Sequence, residues 1–121
     1  MPKLFLAGQI IFGTSFILMG VFQLLQLENM ARLARFKGVP MAKTSVALGG
    51  LFLILAGLSI TTGFEKNYTL WALIIFVSIT TIIFHRFWED RDPMEKLNNF
   101  VNVLKNLALI GAMLILLGTS S

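Results

Sequence analysis

The sequence of 121 residues contains no cysteine and little charge. Without cysteine, the chain's own residues cannot form disulfides, thiolate metal sites or iron–sulfur clusters. Its single histidine cannot supply both ligands of a bis-histidine haem within one chain. Only 13% of the residues are charged, about half the share in a typical soluble domain, whereas 56% are hydrophobic. This composition excludes an ordinary water-exposed surface and indicates a membrane protein.

The charged residues leave three long gaps, at 4–27, 44–64 and 67–85. A helix rises about 1.5 Å per residue, so about 20 apolar residues cross a hydrocarbon core of about 30 Å. A fourth apolar segment, 97–118, contains Lys105. We therefore predict an all-α fold, a four-transmembrane-helix bundle of two helical hairpins that forms one domain over residues 1–121. The predicted helices are about 3–36, 40–62, 68–88 and 93–118.

Local sequence signals mark two of the predicted helix boundaries. Gly38 suits the position just after a helix end, and Pro40 suits the first turn of the next helix. Asp92, Pro93 and Glu95 resemble a capping box at the start of the fourth helix. Residues 27–36 mix apolar and basic side chains, which fits either an amphipathic helix at the membrane surface or a solvated turn.

The basic residues are unevenly distributed between the two predicted sides of the membrane. Segments 28–43 and 86–96 carry seven of them, whereas the opposite side carries only Lys3 and Lys66. The positive-inside rule therefore predicts that both basic segments are cytoplasmic and that both termini lie together outside. We expect an integral protein of a prokaryotic plasma membrane, in contact with the lipid bilayer. These basic residues would lie at lipid head groups, so we expect no nucleic-acid binding.

Small and polar residues indicate which helix faces pack together inside a membrane, because lipid is as apolar as leucine. Such residues recur at helical spacing in the first two predicted helices, and the glycine pair at 50 and 57 is repeated at 111 and 118. We predict that seven of them mediate helix packing: Gln9, Gly13, Gly20, Gln23, Gly50, Gly57 and Gly111. A similar stripe on the third helix contains Ser78, Thr81, His85 and Trp88, and one on the fourth contains Asn99, Asn102 and Asn106.

An ionisable side chain within a span is costly and indicates function by default. Lys105 lies about 10 Å inside the predicted fourth span. It can extend back to the head groups, or turn inward to meet Glu89 or Asp90 close to His85. We predict a ligand-binding cluster of six residues: His85, Trp88, Glu89, Asp90, Lys105 and Asn106. The sequence indicates no metal site and identifies no catalytic residue.

The C-terminal half of the sequence resembles the DoxX family of small four-helix membrane proteins. The resemblance rests on Phe84–Trp88, followed by Asp92-Pro93 and by Lys105-Asn106. Weaker similarities extend it over nearly the whole chain: Gly13, Gly20, Gln23 and the Gly38-Val39-Pro40 segment. One departure is that many relatives have an acidic residue early in the second helix, where this chain has Val46-Ala47-Leu48. The motif positions that the resemblance carries over are His85, Trp88, Lys105 and Asn106.

The resemblance implies a membrane protein, some of whose relatives are subunits of quinone-linked oxidoreductases. We therefore expect a quinone-binding or redox-linked subunit, with His85, Lys105 or Asn106 donating hydrogen bonds to quinone carbonyls. Aromatic residues of the same region would enclose the ring: Phe84, Phe87, Trp88 and Phe100. A redox partner subunit would supply electrons, because the chain has no evident flavin, haem or iron–sulfur motif and implies no covalently bound cofactor. Whether the chain is itself an enzyme stays open.

Two other classes of function remain as alternatives. The first is a non-catalytic accessory or assembly subunit, or a structural homo-oligomer, in which the polar stripes serve helix association. The second is a small transporter or lipid-binding bundle, which would use a polar interior and a basic cytoplasmic face. Hydrolase and transferase activities are not supported, because no nucleophile, base and orienting group come together in the predicted fold.

Overall fold

The computed structural model describes residues 2–119, and nearly all of them are helical. The helices are α1 (Pro2–Leu25), α2 (Leu27–Phe36), α3 (Ala42–Thr62), α4 (Lys66–Phe84) and α5 (Pro93–Thr119). A single 3₁₀ turn at Phe87–Glu89 lies between α4 and α5. No β-strand occurs within residues 2–119. The predicted all-α fold class is confirmed.

Four segments are long and apolar enough to cross a membrane: Pro2–Leu25, Ala42–Thr62, Lys66–Glu89 and Pro93–Thr119. Large apolar side chains are exposed along them, such as Ile11 on α1, Leu55 on α3 and Ile115 on α5. Such surface suits lipid and not water, so the chain fits an integral membrane protein. The predicted sidedness of the loops stays a prediction. The predicted sidedness of the two termini also stays a prediction, and it concerns Met1, Ser120 and Ser121, which lie outside the described residues.

The chain divides into two compact units, Met1–Thr69 and Leu70–Ser121. The first unit contains α1, α2, α3 and the beginning of α4, and the second contains the rest of α4, the 3₁₀ turn and α5. In the first unit α3 runs antiparallel to α1, so that the two form a helical hairpin, and α2 also packs on α3. The prediction of one domain stays a prediction.

The structure differs from the predicted helices at three boundaries. The first helix is divided at Gln26, whose φ of −103° and ψ of 29° depart from helical values, although helical hydrogen bonds continue across it. Because Met41 has a left-handed φ of 48°, α3 begins at Ala42 and Pro40 lies before it. Helix α4 ends at Phe84 instead of residue 88, so His85 and Trp88 follow the helix instead of sharing its face.

Two predicted helix boundaries have the expected geometry. Gly38 has a φ of 85°, its N–H donates to the Arg35 carbonyl, and the Val39 N–H donates to the Ala34 carbonyl, both at 3.0 Å. These bonds form a Schellman motif that ends α2. Helix α5 begins at Pro93 as predicted, and the Met94 N–H donates to Asp92 Oδ1 at 3.1 Å. That bond is the side-chain cap of a helix N-terminus.

The turn between α3 and α4 is held by one serine. Gly63 ends α3 with a φ of 81°, and Glu65 has a φ of 52°. Ser59 Oγ donates to the Phe64 carbonyl at 2.5 Å, so its lone pairs accept the Thr69 hydroxyl at 2.6 Å. Ser59 thereby connects the last turns of α3 to the first turn of α4, which keeps the connection short.

Candidate functional site

The closest helix contact in the first unit is made by two glycine pairs between α1 and α3. A Cβ built on Gly13 would lie 2.7 Å from the Gly57 carbonyl oxygen, and one built on Gly20 would lie 2.5 Å from the Gly50 carbonyl oxygen. Both distances are shorter than a real Cβ contact. The two backbones therefore touch directly at these positions, which is the role that small residues have between membrane helices.

Two glutamines flank the glycine pairs and tie α1 to the backbone of α3. Gln9 Nε2 donates to the Ile60 carbonyl, and Gln23 Nε2 donates to the Val46 carbonyl, each at 2.8 Å. Between them, Phe16 on α1 and Leu53 on α3 are buried. This face of α1 is thus used entirely for packing within the first unit.

Thr61 places a buried polar atom in the α1–α3 contact. Its Oγ1 is buried and has no hydrogen-bond partner among the described residues. The same oxygen is the atom that a Cβ at Gly13 would strike first. A buried hydroxyl without a partner costs stability, so this position is not optimised for packing alone.

The seventh predicted packing residue, Gly111, has different surroundings. A Cβ built on it would meet nothing within 4 Å in the described part of the chain. The repeated glycine spacing of α5 therefore does not correspond to a close helix contact like that of α3. In α5 only Met113 is fully buried.

In the second unit, three polar side chains form a hydrogen-bonded chain between the segment that follows α4 and the beginning of α5. Asn99 Nδ2 donates to Asp90 Oδ2 at 2.6 Å, and Asn99 Oδ1 lies 3.1 Å from His85 Nδ1. Because a carboxylate only accepts, Asn99 must present its oxygen to His85, so His85 Nδ1 carries a hydrogen. The other ring nitrogen, Nε2, forms no hydrogen bond with a described residue. It can accept from a ligand when His85 is neutral and donate when His85 is protonated.

Aromatic rings adjoin this polar chain. Phe87 packs edge-on against Trp88, with ring centroids 5.2 Å apart, and edge-on against Phe100 at 5.1 Å. Phe87 is held near His85 because its N–H donates to the His85 carbonyl at 2.9 Å. Trp88 is more than half exposed, so part of its indole is accessible to a ligand.

Asn106, another predicted ligand residue, is engaged elsewhere. Its Nδ2 donates to Thr81 Oγ1 at 2.8 Å, and that hydroxyl donates to the Val77 carbonyl at 2.6 Å. These bonds join α5 to α4 and leave the Asn106 carbonyl oxygen as the polar atom that can still accept. Asn106 therefore has a helix-packing role in this structure.

Lys105 and Glu89 do not join the polar chain. Lys105 is exposed on α5, and it forms no ion pair with Glu89, Asp90 or another described residue. Glu89 instead pairs with Arg86 at 3.3 Å. The sequence left two arrangements of Lys105 open. The inward one, in which Lys105 meets Glu89 or Asp90, does not occur among the described residues.

Asn99 belongs to this site but was not among the six residues that the sequence predicted to bind a ligand. It occupies the centre of the chain and contacts both Asp90 and His85. The helical spacing of the asparagines in α5 predicted that Asn99 faces inward. That spacing could not show whether an inward asparagine belongs to a ligand site or packs against another helix. Within residues 2–119, no group of three histidine or acidic side chains could hold a metal ion.

Comparison with known proteins gives no relative: no family model, curated protein or solved structure matches the chain. The resemblance to the DoxX family gains no support from these comparisons and stays a prediction.

Proposed function

We propose that the protein is a DoxX-like integral membrane subunit that binds the head group of a quinone beside His85. The observation that carries this proposal is the chain from Asp90 through Asn99 to His85, which leaves Nε2 of the imidazole without a described partner. A quinone carbonyl accepts a hydrogen bond from protonated Nε2, and a quinol hydroxyl donates one to neutral Nε2. One histidine thus suits both oxidation states of the ligand.

The surroundings of His85 also suit a flat ring. Phe87, Trp88 and Phe100 offer aromatic edges and faces next to the polar chain, at the end of an apolar helix. A quinone carries an apolar tail, which the exposed apolar surface of α4 and α5 would accept. Asp90 and Asn99 act by orienting the imidazole and would not touch the ligand.

Electrons would have to reach a bound quinone from a partner subunit that carries a flavin, haem or iron–sulfur group. The zero cysteine count and the single histidine argue against an iron–sulfur cluster or a bis-histidine haem on this chain alone. The proposed contribution of this chain is therefore to bind the head group and exchange a hydrogen bond with it.

Tryptophan fluorescence tests the proposal, because quinones quench indole emission and the chain has only two tryptophans. In a Trp71→Phe background, Trp88 is the only tryptophan, and it adjoins the proposed site. Titration of nanodisc-embedded protein with a short-tailed benzoquinone should give saturable quenching. Asn99→Leu should raise Kd about tenfold, since it removes the bond that orients His85.

The matched control is Asn98→Leu, which makes the same change at the neighbouring, exposed position of α5. It should leave Kd unchanged. Unsaturable quenching, or equal effects of the two asparagine variants, would contradict the proposed site.

A second candidate function is a non-catalytic accessory subunit, and the α1–α3 contact favours it. Two glycine pairs and two glutamines serve helix packing in the first unit. This function predicts that gentle purification recovers a partner protein, and that His85→Gln leaves the complex intact. Loss of the partner upon His85→Gln would instead tie assembly to the polar chain.

A further inference from the structure

Helix α2 has one buried face and two kinds of exposed side chain. Ala31 and Ala34 are fully buried in the first unit, where α2 packs on α3. Leu33 is 46% exposed and Phe36 is 83% exposed, although both are apolar. Residues three apart on a helix share a face, so Leu33 and Phe36 form one apolar edge.

A basic edge lies beside the apolar one. Arg32 and Arg35 are exposed, are also three residues apart, and form no ion pair with a described residue. The only acidic residue of α2 is Glu28, and Lys43 of α3 binds it at 2.6 Å. The Lys43 ammonium, through a hydrogen bond and its charge, lowers the pKa of Glu28. The charges of Arg35 and Arg32 lower this pKa as well. One carboxylate therefore faces three cations, and this surface keeps an excess of positive charge.

The position of α2 follows from α1. Helix α1 has 24 residues, which is about 36 Å and slightly more than a hydrocarbon core of about 30 Å. The Gln26 N–H donates to the Phe22 carbonyl, and the Met30 N–H donates to the Gln26 carbonyl. Helix α2 therefore continues directly from the end of this span. A helix that begins where the hydrocarbon ends has its first turns at the lipid head groups.

We propose that α2 is a binding surface for anionic phospholipid, in which Arg32 and Arg35 bind the head-group phosphate while Leu33 and Phe36 contact the acyl chains. Guanidinium groups suit phosphate because their paired N–H groups match its oxygens. The pattern of basic and apolar edges is that of helices at anionic membrane surfaces. The proposal is independent of quinone binding, which concerns the second unit.

Native mass spectrometry of the full chain released from nanodiscs tests this surface. The probes are phosphatidylglycerol and phosphatidylcholine with identical acyl chains, and the measured quantity is the ratio of their bound populations. The unaltered chain should retain phosphatidylglycerol preferentially. In the double variant R32Q/R35Q, the ratio of bound phosphatidylglycerol to bound phosphatidylcholine should fall about fivefold for each arginine removed. This is the usual effect of one basic residue at an anionic surface.

The matched control is K3Q/K66Q, which removes the same charge from the first turns of α1 and α4, at the opposite end of the first unit. It should retain the preference. The charge-conserving R32K/R35K variant should retain only part of it, because lysine keeps the charge but lacks the paired N–H groups of arginine. Phe36→Ser should reduce retention of both lipids without changing their ratio. Helical circular dichroism should be the same for all four variants.

The proposal is overturned if the unaltered chain shows no preference for phosphatidylglycerol. It is also overturned if K3Q/K66Q reduces the preference as much as R32Q/R35Q, because net charge and not α2 would then be responsible.

Discussion

Gly20→Ala should loosen the α1–α3 contact by an amount that the structure allows to be worked out. The added methyl would lie 2.5 Å from the Gly50 carbonyl oxygen and 3.0 Å from the Ile54 backbone nitrogen. These are backbone atoms, so no side-chain rotation relieves the contact. An ordinary contact begins at 3.4 Å, so the helices must separate locally by about 0.9 Å.

That separation has two energetic consequences. Overpacking of this kind costs about 1 to 3 kcal/mol. It also lengthens the neighbouring bond from Gln23 Nε2 to the Val46 carbonyl, now 2.8 Å, and such a bond contributes about 0.6 kcal/mol in a membrane. The higher helix propensity of alanine returns about 1 kcal/mol. We therefore expect a net loss of about 0.6 to 2.6 kcal/mol in the free energy of unfolding.

The assay is reversible unfolding in mixed micelles, followed by far-ultraviolet circular dichroism. Gly8→Ala is the matched control, because it lies on the same helix and a Cβ there meets nothing within 4 Å among the described residues. It should be neutral or slightly stabilising. If Gly20→Ala is as stable as Gly8→Ala, the close approach of α1 and α3 is wrong.

Three further predictions concern single side chains. Asp92→Ala should destabilise α5 by about 1 kcal/mol in the same assay, since it removes the bond from the Met94 N–H. Thr61→Val should raise the free energy of unfolding by about 1 kcal/mol, because it replaces a buried hydroxyl without a described partner by a methyl of similar size. Lys43→Met should raise the pKa of Glu28, now held below 4.5, as measured by NMR titration of labelled glutamate.

Each of these predictions has a distinct contrary result. Asp92→Asn should retain the α5 cap, so equal losses with alanine and asparagine would argue against it. A destabilised Thr61→Val variant would mean that the hydroxyl has a favourable partner. For Glu28, the lowered pKa means that its contribution is present above pH 4.5 and is lost as the pH falls through the folded-state pKa. An unchanged titration midpoint in Lys43→Met would refute the ion pair.

The parts of the fold that depend on local sequence could be predicted. The apolar lengths determine four helical segments, and Asp92 followed by Pro93 determines where α5 begins. The end of α4 could not be predicted, because residues 85–88 contain no helix breaker. There, His85 bonds to Asn99, which lies fourteen residues further along the chain. Local helix propensity contains no information about such a distant contact.

The same limit applies to the candidate site. Helical spacing brought Asn99 and Asn106 to one stripe, but it could not show that Asn99 bonds His85 while Asn106 bonds Thr81. Lys105 was prominent because a charge within a span is rare. Its exposure depends on how α5 is rotated, and an apolar helix surface carries little information about rotation.

The two glutamines of α1 together determine the axial register of α1 against α3. Gln9 and Gln23 are fourteen residues apart, and so are their acceptors on α3, Ile60 and Val46. Both intervals measure about 21 Å along the helix. A slip of one turn would therefore break both bonds at once and place each glycine opposite a side chain. Since lipid cannot distinguish one register of two apolar helices from another, this matched spacing determines which turns of α1 and α3 lie at the same depth in the membrane.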